Sequence, residues 1–296
     1  MHPTDHGHRS SELSLPEVLN RTHPLLGMSI DTGERRSGQR ETLIRLYGDS
    51  LSMPRSTEGI HYLETFAERF RAQIEDTTPG CRVSIYNRSR GGVAISTLLE
   101  DFRKDSFFFG MPGGSVMILQ AGIVDCAPRP LPPLIRRGVA MLPPRAKSRV
   151  IEFLHEHRAG ILRRGFGWRA TSLRTFADVY SEWLSVACRT FELVYAVNIA
   201  PTNAATEARS PGFGRSVIQY NSLIKRACQT AESNNVRLID VHAAILGDER
   251  GINKFINAND GHHITAAGHR LYADLLVATL RRDGALGLGP LNEDYR

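Results

Sequence analysis

The sequence predicts an α/β fold, a flavodoxin-like three-layer α/β/α sandwich around a five-stranded parallel sheet. Strand-like apolar runs alternate with segments whose apolar residues recur at helical spacing, which is typical of βαβ units. The run SVMILQAG at 115–122 is apolar over most of its length, as in a strand buried on both faces. Unusual polar residues directly follow the strand-like runs, where ligand sites lie in doubly wound sheets.

The expected elements follow one another in a regular order. The strands are expected at 42–47, 82–87, 115–122, 191–199 and 236–241. The helices are expected at 62–74, 93–102, 214–235 and 264–283. The first of these helices is indicated by apolar residues at spacings of three and four, namely Leu63, Phe66, Phe70 and Ile74. We therefore expect helices on both faces of the sheet.

The chain has 296 residues, which is long for one domain and short for two. Residues 1–40 are rich in Ser, Arg, His and Gly and predict a polar N-terminal extension, followed by an α/β domain at 41–296. Within that domain, the long connection at about 129–190 predicts an Arg-rich helical insertion over the site side of the sheet. One helix face is expected there from the spacing of Val150, Leu154, His157 and Ile161.

The basic charge of the chain is concentrated in this connection. The net charge is +6, yet residues 129–174 alone contain eleven Arg or Lys and two Glu, a net of +9. A solvated helical face is the ordinary explanation of such a run. The functional interpretation is an anionic substrate, and a weak contact with a membrane surface is a further hypothesis. No nucleic-acid-binding module is visible in the sequence, so nucleic acid is not expected as a partner.

Cysteine spacing and the N-terminal sequence bear on the compartment. The four cysteines are widely separated and form no CxxC pair, so neither a disulfide scaffold nor a zinc finger is predicted. The polar N-terminus lacks the apolar core of a signal peptide, and no apolar stretch approaches the length of a membrane span. These features predict reduced thiols and a cytoplasmic protein. The sequence does not indicate the oligomeric state.

Two short motifs suit nucleophilic catalysis. The first strand ends at Gly48-Asp49-Ser50, and the segment before the last helix contains Asp260 and His263. An unactivated serine needs a base within hydrogen-bonding reach, and that base needs a group to orient it. Two intervening residues allow a tight turn to set the carboxylate beside the imidazole. Ordinary turn chemistry is the alternative explanation of each motif taken alone.

With these motifs the sequence resembles the SGNH hydrolases of the GDSL esterase and lipase superfamily. The matching blocks are YGDSLS, NRSRGG, GIVD and DGHHIT, and the resemblance covers about 41–282. It implies a Ser-His-Asp mechanism on carboxylic esters, with no metal and no other cofactor. It implies Ser50 as nucleophile, with His263 as base and Asp260 as its orienting group. The backbone N–H groups of Ser50 and Gly92 are implied as an oxyanion hole.

One block departs from the pattern of that superfamily. Its third block is Gly-x-Asn-Asp, and here Val124 occupies the position of the Asn that donates to the oxyanion. Loss of one such donor typically lowers turnover by about 10²–10³-fold. Arg129, Asn198 and Asn203 follow the central strands and are candidates for a replacement donor.

Three further residues are candidates for substrate or supporting contacts. His262 is an alternative to His263 as the base, or a substrate contact. Asp49 is expected to stabilise its turn through a side-chain bond to the backbone, with a catalytic role as the alternative. Asp125 is expected to brace the loops around the site.

Three functional hypotheses follow. The first is an esterase that cleaves a short acyl or O-acetyl ester on a carbohydrate or another small molecule, with an anionic substrate as one version. The second is an O-acyltransferase that passes the same acyl group to an alcohol. The third is a binding protein on the same fold, with catalysis impaired by Val124.

Overall fold

The computed structural model describes residues 40–109, 115–165 and 167–284. Five strands occur in these residues, β1 (Arg40–Gly48), β2 (Cys81–Asn87), β3 (Ser115–Gln120), β4 (Leu193–Val197) and β5 (Val236–Ile239). They form one sheet in the order β2-β1-β3-β4-β5, and every neighbouring pair is parallel. This strand order is that of flavodoxin-like doubly wound sheets. The predicted fold class is therefore confirmed.

Twelve α-helices connect and flank the strands in the described residues. Between β1 and β3 lie α1 (Phe66–Thr77) and α2 (Ile95–Phe109). Between β3 and β4 lie α3 (Ile123–Cys126), α4 (Pro133–Ala140), α5 (Pro144–Glu156), α6 (Arg158–Arg163) and α7 (Leu173–Thr190). The rest are α8 (Ala204–Arg209), α9 (Phe213–Thr230), α10 (Val241–Leu246), α11 (Ile252–Phe255) and α12 (Ala266–Arg282).

The side chains of β3 divide between two apolar cores, one on each face of the sheet. Met117 and Leu119 belong to the core that contains side chains from α2, α7 and α9. Val116 and Ile118 belong to the other core, with side chains from α1, α10, α11 and α12. Successive strand side chains point to opposite faces, so a strand covered on both faces must be apolar at every position. This explains the uninterrupted apolar run of β3.

The carboxyl ends of the strands lie at one edge of the sheet. β1 is bonded on both sides, with Leu46 paired to Asn87 of β2 and to Ile118 of β3. Because the strands are parallel, the loops that leave β1, β3 and β4 emerge at this same edge. The segment that carries Ser50 begins here.

The first helix begins later than its apolar spacing predicts. Tyr62–Glu64 form a 3₁₀-helix, and Thr65 is extended, so α1 starts at Phe66. Leu63 is 69% exposed and does not join the core as predicted. The N–H of Phe66 donates to Nδ1 of the buried His269 at 3.1 Å, which fixes the start of α1 through a tertiary contact.

The long connection between β3 and β4 contains two different parts. Helices α4, α5 and α6 are mostly exposed, whereas α7 buries Phe176, Tyr180 and Trp183 in the core. The predicted insertion at about 129–190 thus includes a core helix in its last third. The helix face predicted across His157 is interrupted, because α5 ends before that residue and α6 begins after it.

The predicted extension at 1–40 lies outside the described residues, apart from Arg40, which begins β1. No helix among the described residues combines the length and the apolar character needed to cross a membrane.

Candidate active site

The turn after β1 places Ser50 at the tip of the strand. The carboxylate of Asp49 accepts a hydrogen bond from the N–H of Leu51 at 3.0 Å and so caps the 3₁₀-helix Ser50–Ser52. A Cβ at Gly48 would lie 2.3 Å from Oγ of Ser52, so no larger residue fits there. In this turn Gly provides close approach and Asp caps the backbone, which leaves the hydroxyl of Ser50 free to react.

A second turn holds Asp260 and His263 in direct contact. Oδ1 of Asp260 accepts hydrogen bonds from the N–H groups of His262 and His263, each at 3.0 Å. Oδ2 of Asp260 lies 2.8 Å from Nδ1 of His263. Nε2 of His263 lies 3.1 Å from Oγ of Ser50. The structure therefore brings the three predicted triad residues into one continuous hydrogen-bonded chain.

The protonation pattern of this chain follows from its charges. Burial alone would raise the pKa of Asp260, but hydrogen bonds from the backbone of His263 and His262 and from the imidazole of His263 hold it at about 2. An ionised carboxylate only accepts, so Nδ1 of His263 donates and Nε2 is left to accept from Ser50. Burial and the charge of His262 lower the pKa of His263, against the opposing pull of Asp260. The imidazole is thus neutral and suited to act as a base.

The loop that carries Asp260 is anchored from both of its ends and from α8. The N–H of Asn257 donates to the carbonyl of His263, and the N–H of Gly261 donates to the carbonyl of Asn257, both at 2.8 Å. The hydroxyl of Thr206 and the guanidinium of Arg209 both donate to the backbone carbonyl of Asp260. Sequence reasoning missed Thr206 and Arg209, although both follow β4 at the predicted site edge.

The backbone donors expected for an oxyanion face the same cavity as the triad. Ser50, Gly92, Val124 and His263 all line it. In the described part of the chain, the N–H groups of Ser50 and Gly92 have no protein acceptor, which leaves both available to a ligand. Val124 stands where an Asn donor is expected from the resemblance and offers only methyl groups.

Two of the three proposed replacement donors are engaged elsewhere. The amide of Asn198 donates to Asp240 at 2.7 Å, and its oxygen accepts from the N–H of His242. The amide of Asn203 donates to Asn253 and to a backbone carbonyl, and its oxygen caps α8. The structure does not bring Asn198 to the cavity, and Asn203 supports the neighbouring loops.

Arg129 does line the cavity. Its guanidinium donates to the backbone carbonyl of Val124 at 3.3 Å. It therefore remains the third candidate as a donor to substrate.

The two remaining carboxylates are buried behind the cavity. Burial raises the pKa of Asp49 to about 7, against hydrogen bonds that include the one from Leu51. Asp125 accepts from the N–H of Ile95 at the start of α2 and from the hydroxyl of Thr171. The geometry of Asp125 is that of a brace between two segments next to the cavity.

His262 lies against the triad and contacts the cavity. Its ring centroid is 4.1 Å from that of His263, and Nδ1 lies 3.0 Å from the backbone carbonyl of Asp260. His262 therefore contacts His263, and it is His263 that lies within hydrogen-bonding distance of Ser50.

Asp260, His262 and His263 also form a group that could hold a metal ion, with ligand atoms within 4.8 Å of one another among the described residues. A metal between the first and last of these would replace the hydrogen bond from Nδ1 of His263 to Oδ2 of Asp260. The proton on Nδ1 and a metal at the same nitrogen exclude each other.

The cavity has a volume of about 700 Å³ and a basic lining. Besides the residues above, it is lined by Arg136, His155, Arg158, Arg209 and Phe213, among others. Sequence reasoning had noted Arg136 and Arg158 as part of a basic segment but had not placed them beside the serine. Their approach to the triad depends on how α4, α5 and α6 fold back over the sheet edge.

No family model matches the sequence, and no curated protein matches it either. Solved structures do match. The lipase/acylhydrolase from Enterococcus faecalis is 15% identical with a TM-score of 0.55, covering 81% of this chain and 95% of that chain. A member of the lipolytic protein G-D-S-L family from Veillonella parvula is 13% identical with a TM-score of 0.51, covering 80% and 97%.

An acetylxylan esterase from Geobacillus stearothermophilus is 14% identical with a TM-score of 0.52, covering 81% of this chain and 94% of that chain. At such identities a structural match bears on the fold. Together with the sheet order, these matches show that the chain has the fold of the SGNH hydrolases.

Proposed function

We propose that the protein hydrolyses a carboxylic ester through Ser50, His263 and Asp260. The observation that carries this proposal is the continuous chain from Oδ2 of Asp260 to Oγ of Ser50, with contacts of 2.8 and 3.1 Å, at the wall of an open cavity. A serine, a neutral imidazole and an ionised carboxylate in this order are the parts needed to activate a hydroxyl.

The reaction begins when Nε2 of His263 accepts the proton of Ser50 as Oγ attacks the ester carbonyl. The imidazolium that forms is stabilised by Asp260, whose low pKa keeps it charged. The imidazolium then gives its proton to the leaving alcohol, and an acyl-serine remains. Water, deprotonated by His263, attacks the acyl-serine and releases the acid, which regenerates Ser50.

The developing oxyanion would accept from the N–H groups of Ser50 and Gly92. Both groups are free of protein acceptors in the part of the chain that the structure describes. Such preorganised donors stabilise charge where it appears in the transition state. The side chain of Val124 adds no third donor, so we expect a two-donor hole and a correspondingly modest turnover.

The substrate we propose is a short acyl or O-acetyl ester, with a carbohydrate or another small molecule as the alcohol part. Support comes from the fold shared with an acetylxylan esterase and a lipase/acylhydrolase. This support is analogy at the level of the fold, because one fold hosts many substrates.

The test is covalent labelling with a fluorophosphonate followed by peptide mass spectrometry. We expect the label on Ser50 and its loss in His263→Ala. Ser222→Ala is the matched control, because Ser222 is an exposed serine on α9 that bonds only within its own helix. Absence of label on the folded wild-type protein, or equal labelling in His263→Ala, would contradict the proposed mechanism.

A second candidate function is acyl transfer to an alcohol, for which the cavity has room. About 700 Å³ exceeds what a short acyl group fills and leaves room for a bound acceptor. Product analysis with and without added sugars separates the two reactions. Transfer yields a new ester in proportion to the acceptor, whereas hydrolysis yields only free acid.

A further inference from the structure

Three arginines of the insertion line the same cavity as Ser50. They are Arg129, Arg136 and Arg158, which we call the arginine cluster. Neither Asp nor Glu is among the residues that line this cavity, although His155 and His262 are. The part of the lining that the insertion contributes is therefore cationic and contains no carboxylate.

The arginine cluster has only neutral hydrogen-bond partners within the described residues. Arg158 donates to the hydroxyl of Ser210 and to the backbone carbonyl of Pro128, both at 2.6 Å. Arg129 donates to the carbonyl of Val124, and its Nε, which water does not reach, has no acceptor. The side chain of Arg136 has no hydrogen-bond or ion-pair partner in that part of the chain.

Several arginines elsewhere in the described residues are paired with carboxylates. Arg55, Arg71, Arg88 and Arg237 each approach a carboxylate within 3.0 Å. Among the described residues, Arg45 and Arg169 also have no ion-pair partner, but neither lines the cavity of Ser50 as the arginine cluster does.

Holding these charges together without an anion is unfavourable. Burial lowers the pKa of Arg129, and the charges of Arg136 and Arg158 lower it further, while the charge of Asp125 opposes them. Burial also lowers the pKa of Arg158. A buried or half-buried charge is costly unless it is paired, and a guanidinium matches a carboxylate or phosphate with two parallel hydrogen bonds.

We propose that the ester substrate carries an anionic group, a carboxylate or a phosphate, which the arginine cluster binds while the ester carbonyl lies at Ser50. This inference rests on the proposed ester hydrolysis and names its substrate class. Arg136, His155 and Arg158 also line an adjoining cavity of about 380 Å³ whose other walls include Leu131, Val139 and Leu154. The anion is therefore bound on the side of α4 and α5.

The experiment compares acetyl esters that differ in one charged group. 4-Acetoxybenzoate and its methyl ester have similar phenol leaving groups, and 4-acetoxyphenyl phosphate carries the charge as phosphate. Dividing each kcat/KM by the rate of alkaline hydrolysis of the same compound corrects for the leaving group. We expect at least one anionic ester to exceed the neutral ester by about tenfold or more at low salt, and the excess to shrink as salt rises.

Variants test whether the preference for anionic esters depends on the arginine cluster. Arg136→Gln removes an exposed guanidinium without a structural partner, so folding is expected to be intact. Arg158→Gln removes a guanidinium that also binds Ser210, and Arg158→Lys keeps its charge. Both Gln variants should lose most of the ratio of corrected rates that favours the anionic ester, and Arg158→Lys should retain part of it. Arg174→Gln, at a side chain that is 94% exposed and outside the cavity lining, is the matched control.

The outcomes separate this inference from the proposed function. Ser50-dependent hydrolysis with equal corrected rates for neutral and anionic esters would overturn only the anion site. The same holds for a preference that survives in both Arg136→Gln and Arg158→Gln.

A binding measurement covers the case of no hydrolysis at all. Calorimetry on Ser50→Ala with uncleaved 4-acetoxybenzoate and with its methyl ester reads anion binding without catalysis. Tighter binding of the anion, lost in the double variant with Arg158→Gln, supports the site even if the triad proves inactive. Equal binding of the two compounds would overturn it.

Discussion

The two walls of the cavity handle charge in opposite ways. Behind the wall that contains Ser50 and His263, Asp260 accepts from two backbone N–H groups and an imidazole, all within about 3 Å. On the other wall, the guanidinium groups of the arginine cluster have no carboxylate partner among the described residues. Both carboxylate oxygens of Asp260 are used within the protein and hold a catalytic group in place. The arginine cluster keeps N–H donors without a protein acceptor, such as Nε of Arg129, and these remain available for a ligand.

The largest expected effect comes from Asp260→Asn, which changes the hydrogen bonds between residue 260 and His263. The Asn oxygen can still accept from the backbone of His262 and His263, but its NH₂ would face Nδ1 of His263. Nδ1 then becomes the acceptor and Nε2 carries the proton, so it cannot accept from Ser50. We expect kcat to fall by about 10⁴-fold, measured with an activated acetyl ester.

The control for this variant is Asp248→Asn, in which a partly exposed carboxylate that contacts Arg250 is lost instead. Its kcat should equal that of the wild type. A fall of less than about tenfold in Asp260→Asn would mean that the observed contact does not set the tautomer of His263.

The sequence predicted Ser50, Asp260 and His263 as site residues far better than it predicted the location of the arginine cluster. The identities and spacing of Ser50, Asp260 and His263 are local features, since each lies in a short turn at a strand or helix end. The strands could also be predicted from short local runs. In β3, burial on both faces requires the apolar run that the sequence shows.

The features that were missed depend on tertiary contacts. Leu63 has the spacing of a core residue, yet the contact between Phe66 and His269 starts the helix after it. The amide of Asn198 follows a central strand as a site residue would, but Asp240 of the next strand end binds it. The arginine cluster is visible as charge in the sequence, while its location beside Ser50 depends on the path of the insertion.

The next effect concerns Val124, which lies with Ser50 and Gly92 at the cavity. Val124→Asn would add a side-chain N–H donor to the two backbone donors and changes neither the triad nor the arginine cluster. A single oxyanion donor typically contributes about 10²–10³ in turnover, so we expect kcat to rise by about tenfold or more.

Val124→Ala is the matched control, because it changes the volume of the side chain and adds no donor. Its kcat should differ little from that of the wild type. Equal kcat for the Asn and Ala variants would show that a carbonyl at Ser50 does not reach this position.

The binding of inorganic phosphate tests the arginine cluster at equilibrium. A ligand that binds only the native state stabilises it by RT ln(1 + [L]/Kd), which is about 1.4 kcal/mol at ten times Kd. For a domain of this size we expect Tm to rise by roughly 3–5 °C relative to chloride at equal ionic strength. Arg158→Gln should abolish the rise, and Arg174→Gln should keep it. A rise of equal size in both variants would place phosphate binding outside the arginine cluster.

The smallest expected effect is a change in the pH dependence of kcat/KM when His262, the neighbour of His263, is replaced. His263 must be neutral to accept the proton of Ser50, and burial together with the charge of His262 lowers its pKa. The value of kcat/KM should therefore be constant above the ordinary imidazole pKa of about 6.5 and fall with decreasing pH only below it.

In His262→Gln the neighbouring positive charge is absent, so the pKa of His263 rises and the acid limb moves to higher pH by a few tenths of a unit. Asp260 remains ionised across this range because its pKa is about 2, so it does not contribute to the acid limb. A limb that moves to lower pH in His262→Gln would mean that His262 stabilises the charged form of its neighbour, contrary to the arrangement of charges described above.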